Sequence, residues 1–197
     1  MIRFVPPDGC LDLAQTLDCG QAFRWQEIAA PGGSAWRGTA FGHTLTVQKR
    51  DGAFFFDCTQ AEFDAVWFPY FDLGTDYAAI RRTLCDLHPV LRDAAAFAPG
   101  IRILRQEPWE ALCSFIISQN NNIPRIRKNL RDLCAMQGGA FPRPLHWRRR
   151  SRKRCAPLAW ATARNTCVPQ ARTLHRRTRW MHCAPCPIRK RTRRCAP

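Results

Sequence analysis

No acidic residue follows Asp132 in this 197-residue chain, no glycine follows Gly139 and no tyrosine follows Tyr77. Each absence excludes something. Without carboxylates, nothing in residues 143–197 offsets their positive charge. Without glycine they lack the residue that makes positive-φ turns at little cost. Long apolar runs are missing too. Patches such as Ala53-Phe54-Phe55-Phe56 fall far short of the ~18–20 residues that span a bilayer. The start, Met1-Ile2-Arg3-Phe4-Val5-Pro6-Pro7-Asp8, has no apolar stretch of the secretory kind, so no signal peptide and no membrane partner are expected. Eleven cysteines at irregular spacing fit reduced intracellular thiols better than a disulfide framework.

What is present is divided unevenly. The formal net charge of +16 and a pI near 10.3 suggest a polyanionic partner. Yet residues 1–142 hold 14 Lys+Arg and all 15 Asp+Glu, for a net charge of −1, whereas residues 143–197 hold 17 Lys+Arg and no acid. In that second part only Leu145, Leu158, Val168, Leu174 and Ile188 are Leu, Ile, Val or Phe. This lies well below the ~20% that a chain needs to bury a core. Residues 1–142 therefore read as folded, and 143–197 as a basic, disordered tail.

Within the folded part, Phe23 to Gln26, Trp36 to Phe41, His43 to Lys49 and Ala53 to Cys58 are β-favouring runs. Leu45 and Val47 alternate with Thr44, Thr46 and Gln48, as one buried face requires. Pro31-Gly32-Gly33-Ser34, Gly42 and Asp51-Gly52 break the runs, the last being a strong hairpin signal. Helices follow. Thr59 and Glu62 have capping-box spacing, with Phe63, Val66 and Trp67 as the apolar stripe. Tyr77, Ile80, Leu84 and Leu87 recur at helical intervals, and Pro89 is expected to close that helix. Pro108 suits the first turn of another, with Trp109, Leu112, Cys113 and Ile116 on one face. Ile123, Ile126, Leu130 and Leu133 mark one more.

Two segments carry chemical information. In Cys19-Gly20-Gln21-Ala22-Phe23-Arg24-Trp25, a glycine enters a strand; alone, it marks a turn or bulge, or else a close approach by a ligand. In Ser118-Gln119-Asn120-Asn121-Asn122-Ile123-Pro124-Arg125, three asparagines separate two helices and serve either as a capping turn or as a loop of donors and acceptors.

The stretch from Gly100 through Ile101-Arg102-Ile103-Leu104-Arg105-Gln106-Glu107-Pro108-Trp109, running on into SFIISQNNNIPRI, closely resembles the 8-oxoguanine DNA glycosylase family. LDLAQTLDCGQAFRW and WFPYFDLGTDYAAI resemble the same family in the same order, and the likeness covers about residues 8–141. It implies an α+β architecture. A twisted antiparallel sheet with helices, like that of the TATA-binding protein, would occupy residues 1–97. Residues 98–142 would begin an all-α helix-hairpin-helix domain that is incomplete. It also implies base-excision repair: such enzymes flip 8-oxoguanine out of duplex DNA, cleave the glycosidic bond and nick the strand as lyases. By this resemblance Gly20 offers its backbone carbonyl to the lesion, whose N7 carries a proton where guanine has a lone pair. Asn120 fills the gap left by the flipped base, and Arg125 reads the estranged cytosine. Arg102, Arg105, Arg127, Lys128 and Arg131 could add phosphate contacts, although a solvated helix face accounts for most of them. The implied partner is double-stranded DNA with 8-oxoguanine opposite cytosine. The implied state is an intracellular, DNA-associated monomer, in a bacterial cytoplasm or a nucleus, without cofactor or metal.

The family's amine nucleophile, a Lys at the end of a glycine-containing hairpin, and an Asp about 20 residues later have no counterpart here. Beyond Gly139 there is no Gly and no Asp, and the only lysines are Lys153 and Lys190, inside arginine runs. No catalytic residue is therefore assigned, and an inactive chain is expected. Codons permitted for residues 160–166, read from their third base, spell Gly-Tyr-Arg-Ala-Lys-Tyr, which resembles a segment the family carries at that place. The tail is accordingly read as the remaining gene in a shifted frame, entered between about Gly138 and Leu145. His182, Cys183, Cys186 and Cys195 mimic a zinc half-site weakly. A second reading is a non-catalytic nucleic-acid-binding protein acting through its Arg-rich tail. A third is an unstable fragment in which Trp109, Ile116, Ile126 and Leu130 lack partners.

Overall fold

Leu45 and Val47 lie on one face of a strand with no exposed surface, and a sheet forms around them. The computed structural model describes residues 1–143. Its strands are β1 (Ile2–Phe4), β2 (Trp25–Ala30), β3 (Gly33–Ala40), β4 (His43–Arg50) and β5 (Ala53–Phe56). They form one antiparallel sheet in the order β1-β5-β4-β3-β2. Asp51 and Gly52, with φ of 48° and 75°, make the two-residue turn between Arg50 and Ala53. Phe41 and Gly42 repeat that pattern between Ala40 and His43. Positive φ at both turn positions matches the twist of the flanking strands.

Three expectations shift. Gly33 and Ser34 are not part of the break; they pair with Ala30 and Ala29, leaving Pro31 and Gly32 alone in the turn. Phe23 precedes the strand, which begins at Trp25. β1, which the sequence patterns did not suggest, adds an edge by pairing Ile2, Arg3 and Phe4 with Phe56, Phe55 and Phe54.

One face of the sheet is covered by an aromatic core. Trp25, Phe54, Phe56, Phe63, Trp67, Tyr70 and Phe71 are buried together. Trp25 packs edge-on against Trp67 and Phe71 and donates its indole N–H to the Tyr70 hydroxyl at 2.8 Å. Burial pushes the Tyr70 hydroxyl's pKa well above its usual value, against the opposing bond from Trp25.

α1 (Leu13–Leu17) is capped by the Asp12 carboxylate, which accepts from the Gln15 N–H at 2.8 Å. Thr59 caps α2 (Gln60–Glu62) as its spacing predicts, with its hydroxyl accepting from the Glu62 N–H at 3.2 Å. A π-helical turn over Phe63–Trp67 and α3 (Phe68–Tyr70) continue the same segment. Next come α4 (Tyr77–Leu87), α5 (Pro89–Phe97), α6 (Pro108–Ser118) and α7 (Ile123–Ala135). Pro89 does close α4, but it also opens α5. His88 ends one helix and caps the next, its Nδ1 accepting from the Val90 N–H at 3.1 Å.

The apolar face of α6 differs from expectation, while that of α7 matches it at Ile126, Leu130 and Leu133 and departs only at the exposed Ile123. Cys113 and Ile117 are the buried apolar residues of α6, whereas Trp109 and Ile116 are only half-buried. Trp109 has a partner all the same: its indole N–H donates to the Pro142 carbonyl at 2.8 Å. Ile126 and Leu130 do not lack partners either, being 3% and 1% exposed beside Leu133 and Cys134 where α7 meets α6. The exposed apolar side chains are others, Phe97, Phe115, Ile103 and Leu87 among them. No helix among the described residues is long and apolar enough to cross a membrane. The zinc-like cluster, the Arg clusters and the expected disorder of the tail lie outside the described residues.

Candidate functional site

Gly20 sits in the turn that leads from α1 to β2, exposed, with φ at 87°. A Cβ built there would meet nothing within 4 Å, so the backbone angle rather than crowding calls for glycine. Among the described residues no donor reaches the Gly20 carbonyl.

The neighbouring residue is held firmly. The Gln21 side-chain amide donates to the Thr16 and Arg102 carbonyls, both at 2.8 Å, and accepts from the Leu104 N–H at 3.0 Å. Its own backbone carbonyl accepts from Gln106 Nε2 at 2.5 Å. Residues 101–107, the extended connector between α5 and α6, thus brace the turn from behind.

Two ion pairs bring this turn to α6 and α7. Arg24 donates to Glu110 at 3.0 Å and to the Gly139 carbonyl at 3.2 Å, joining the entry to β2 with the first turn of α6 and the chain after α7. Burial raises the Glu110 carboxyl's pKa, and the Arg24 charge opposes this only in part. Asp18, two residues before Gly20, pairs with Arg127, two residues after Arg125. Gly20 and the start of α7 therefore lie on adjoining segments, a proximity that no sequence spacing announces.

The loop between α6 and α7 divides its asparagines by task. Asn122 is a helix cap, its side-chain oxygen accepting from the Arg125 N–H at 3.0 Å. Asn121 donates to the Ile117 carbonyl at 3.0 Å and closes the end of α6. The capping explanation is thus correct for these two. Asn120 differs: it is exposed, has a φ of 49°, and its side chain bonds to nothing among the described residues. Asn tolerates that left-handed angle better than most residues do. Arg125 is exposed at the first turn of α7, with no acidic partner among the described residues.

The other basic candidates divide clearly. Arg102 cannot touch a phosphate, because its guanidinium is fully buried against Asp8. Its partner is distant in sequence, and a lone arginine in a stretch such as Ile101-Arg102-Ile103 gives no sign of that. Arg105 pairs with Asp72, Arg127 with Asp18 and Lys128 with Asp132, while Arg131 is exposed. The solvated-face explanation holds for α7. Gln21 and Arg24 are the site residues that reasoning from the sequence missed; neither residue type advertises a bracing role. Among the described residues no cluster of three or more His, Cys, Asp or Glu could hold a metal ion.

Comparison with known proteins follows the same outline. The family model for the N-terminal domain of 8-oxoguanine DNA glycosylase matches residues 4–112, a span that contains Gly20 but neither Asn120 nor Arg125. An N-glycosylase/DNA lyase of Saccharomyces cerevisiae is 62% identical over 39 residues, 20% of this chain and 10% of its own. The N-glycosylase/DNA lyase OGG1 of Arabidopsis thaliana is 29% identical over 124 residues, 60% of this chain and 33% of its own. Among solved structures, MBOgg1 in complex with a low-affinity DNA ligand superposes with a TM-score of 0.76 at 32% identity, covering 89% of this chain and 62% of that one. The Clostridium acetobutylicum 8-oxoguanine glycosylase/lyase, in complex with double-stranded DNA containing cytosine opposite 8-oxoG, gives 0.74 at 31% identity over 85% and 60%. The chain thus spans a third or less of the curated relatives and about three-fifths of the solved chains.

Proposed function

The chain belongs to the 8-oxoguanine DNA glycosylase family through its N-terminal domain, and from that premise we propose that it binds duplex DNA containing 8-oxoguanine opposite cytosine without excising the base. The Gly20 carbonyl supports this reading most directly. It stands unbonded on an exposed turn, beside segments that carry two further exposed polar residues, Asn120 and Arg125. A fixed carbonyl gains a bond from the N7 proton of the lesion and meets lone-pair repulsion from guanine, a contrast larger than apolar pockets supply. Asn120 offers an amide to the space that a flipped base vacates, and Arg125 offers a guanidinium fork to the acceptor edge of cytosine. The setting is intracellular DNA repair.

Excision coupled to strand cleavage through a Schiff base needs an amine nucleophile at the deoxyribose carbon, and it is this chemistry that the chain is proposed to lack. Lys128 is engaged with Asp132 at 2.6 Å on α7, and the remaining late lysines, Lys153 and Lys190, sit in arginine runs outside the described residues. Incubation with an 8-oxoguanine:cytosine duplex and borohydride should leave no covalent adduct, while equilibrium binding should favour the lesion duplex over its undamaged counterpart. A trapped adduct, or equal affinity for both duplexes, overturns the reading.

One observation favours a second reading: residues 143–197 hold 17 Lys+Arg and no acid. Binding through such a tail would ignore the lesion, fall steeply with salt and vanish on deleting those residues.

A further inference from the structure

We infer that Gln21 is a positioning residue that fixes the Gly20 carbonyl for lesion reading; this rests on the reading of Gly20 given above. The Gly20 carbonyl belongs to the peptide plane that joins Gly20 to Gln21. Whatever holds Gln21 therefore sets the direction of that carbonyl; on the other side Asp18 is tied to Arg127 and Cys19 to the Thr16 carbonyl, but Gly20 itself makes no bond among the described residues. Asp18, Cys19 and Gly20 are all exposed, and the glycine angle is soft.

Gln21 is held at both ends. Its side-chain amide makes three bonds, to the Thr16 and Arg102 carbonyls and from the Leu104 N–H, and its backbone carbonyl takes a fourth from Gln106. The brace behind it is rigid, since Arg102 is fully buried and anchored on Asp8. Only an amide fits this pattern at this length. A Glu there would turn a carboxylate toward two carbonyl oxygens, and an aliphatic side chain would leave them unmet. Rigidity matters because both the bond from the lesion and the repulsion from guanine depend on where the carbonyl points. A carbonyl that can swing away from guanine's lone pair no longer rejects it, so lesion preference depends on supports that do not touch the base.

The test measures affinity of the full chain for an 8-oxoguanine:cytosine duplex and for the matching guanine:cytosine duplex. It compares the wild type with Gln21→Ala, Gln21→Met and Gln106→Ala, each followed by a thermal melt. The Gln21 variants should lose about tenfold in lesion preference, the size of one base-edge contact, while affinity for undamaged DNA stays within about twofold. Gln106→Ala removes only the bond to the Gln21 carbonyl and should lose part of that preference; it carries the test if the Gln21 variants do not fold. Variants that keep the wild-type ratio, including those that weaken both duplexes equally, overturn the inference. A wild type without lesion preference overturns the reading of Gly20 itself, which keeps the two failures apart.

Discussion

Arg102 and Asp8, 94 residues apart, close on each other in a two-pronged ion pair of 2.8 and 2.6 Å, with the arginine side chain wholly buried. The rest of the guanidinium is equally occupied. Its Nε donates to the Cys10 carbonyl at 2.6 Å, and its other terminal nitrogen donates to the Asp72 and Thr75 carbonyls at 2.8 and 3.3 Å. The Tyr77 ring covers one face at 4.5 Å. A single side chain thus ties the N-terminal segment, the loop before α4 and the connector into one body.

Removing one partner of a buried, fully bonded pair leaves a charge and several acceptors unmet, at a cost of about 3–5 kcal/mol. Arg102→Met and Asp8→Asn should each lower unfolding stability by that order in urea titrations. Arg102→Lys should rescue little, because an ammonium with three donors cannot meet acceptors arranged for a planar fork. A loss below about 1 kcal/mol in Arg102→Met would mean that the site relaxes and that the pair is dispensable.

Glycine substitutions separate two kinds of constraint. A Cβ at Gly38 would fall on the Trp25 indole in the middle of the core, whereas one at Gly20 would meet nothing. Gly38→Ala should therefore cost about 3 kcal/mol or more through overpacking, and Gly20→Ala only about 1–2 kcal/mol through its positive φ. Thermal or urea unfolding of both variants checks the order; reversal of that order would contradict the packing of β3 on Trp25.

Much of this was legible in the sequence because the signals were local. Asp51-Gly52 gave its turn, Thr59 its cap, and the alternation around Leu45 and Val47 its buried face. What was missed depended on distant contacts. The three residues of β1 are too few to show a period, and their pairing partners lie beyond residue 50. On α6 the buried apolar residues are Cys113 and Ile117, and the helix packs against α7, which a single helix's pattern does not report. In the candidate site, Gly20, Asn120 and Arg125 came from a family resemblance. The roles of Asn121 and Asn122 as caps were open alternatives that geometry resolves. Arg102 shows the limit most clearly, since its burial is sensible only once Asp8 is known to face it.

Asp72 predicts the acid behaviour. Burial alone would raise its pKa, but bonds from Arg105, Tyr77 and Thr75 outweigh this and hold the carboxyl below its usual range. An unfolded Asp titrates near about 3.9, so the native state binds fewer protons there than the unfolded one. The stabilisation is then complete above that value and is lost as pH falls through the lower, folded pKa. Asp72→Asn should melt earlier than the wild type at neutral pH, and the gap should narrow below about pH 4. A gap that stays constant down to pH ~2 would assign the effect to shape rather than charge.

The reading frame is the most consequential test. Acidic residues, glycine and the larger apolar residues thin out or stop together near Gly139, while Arg, Pro, Ala, Cys and Trp persist. No single selective pressure on a folded surface removes all of these at one point; a GC-rich gene read out of frame does so at once. We propose a one- or two-base shift between the codons for Gly138 and Leu145. The gene's nucleotide sequence should then contain, in the alternative frame, a glycine-bearing hairpin with a lysine. Protein expressed from the restored frame should trap covalently on an 8-oxoguanine duplex under borohydride, whereas the present chain should not. If neither shift in that window yields such a hairpin, the tail is a sequence in its own right, and the salt-sensitive DNA-binding reading gains at the expense of this one.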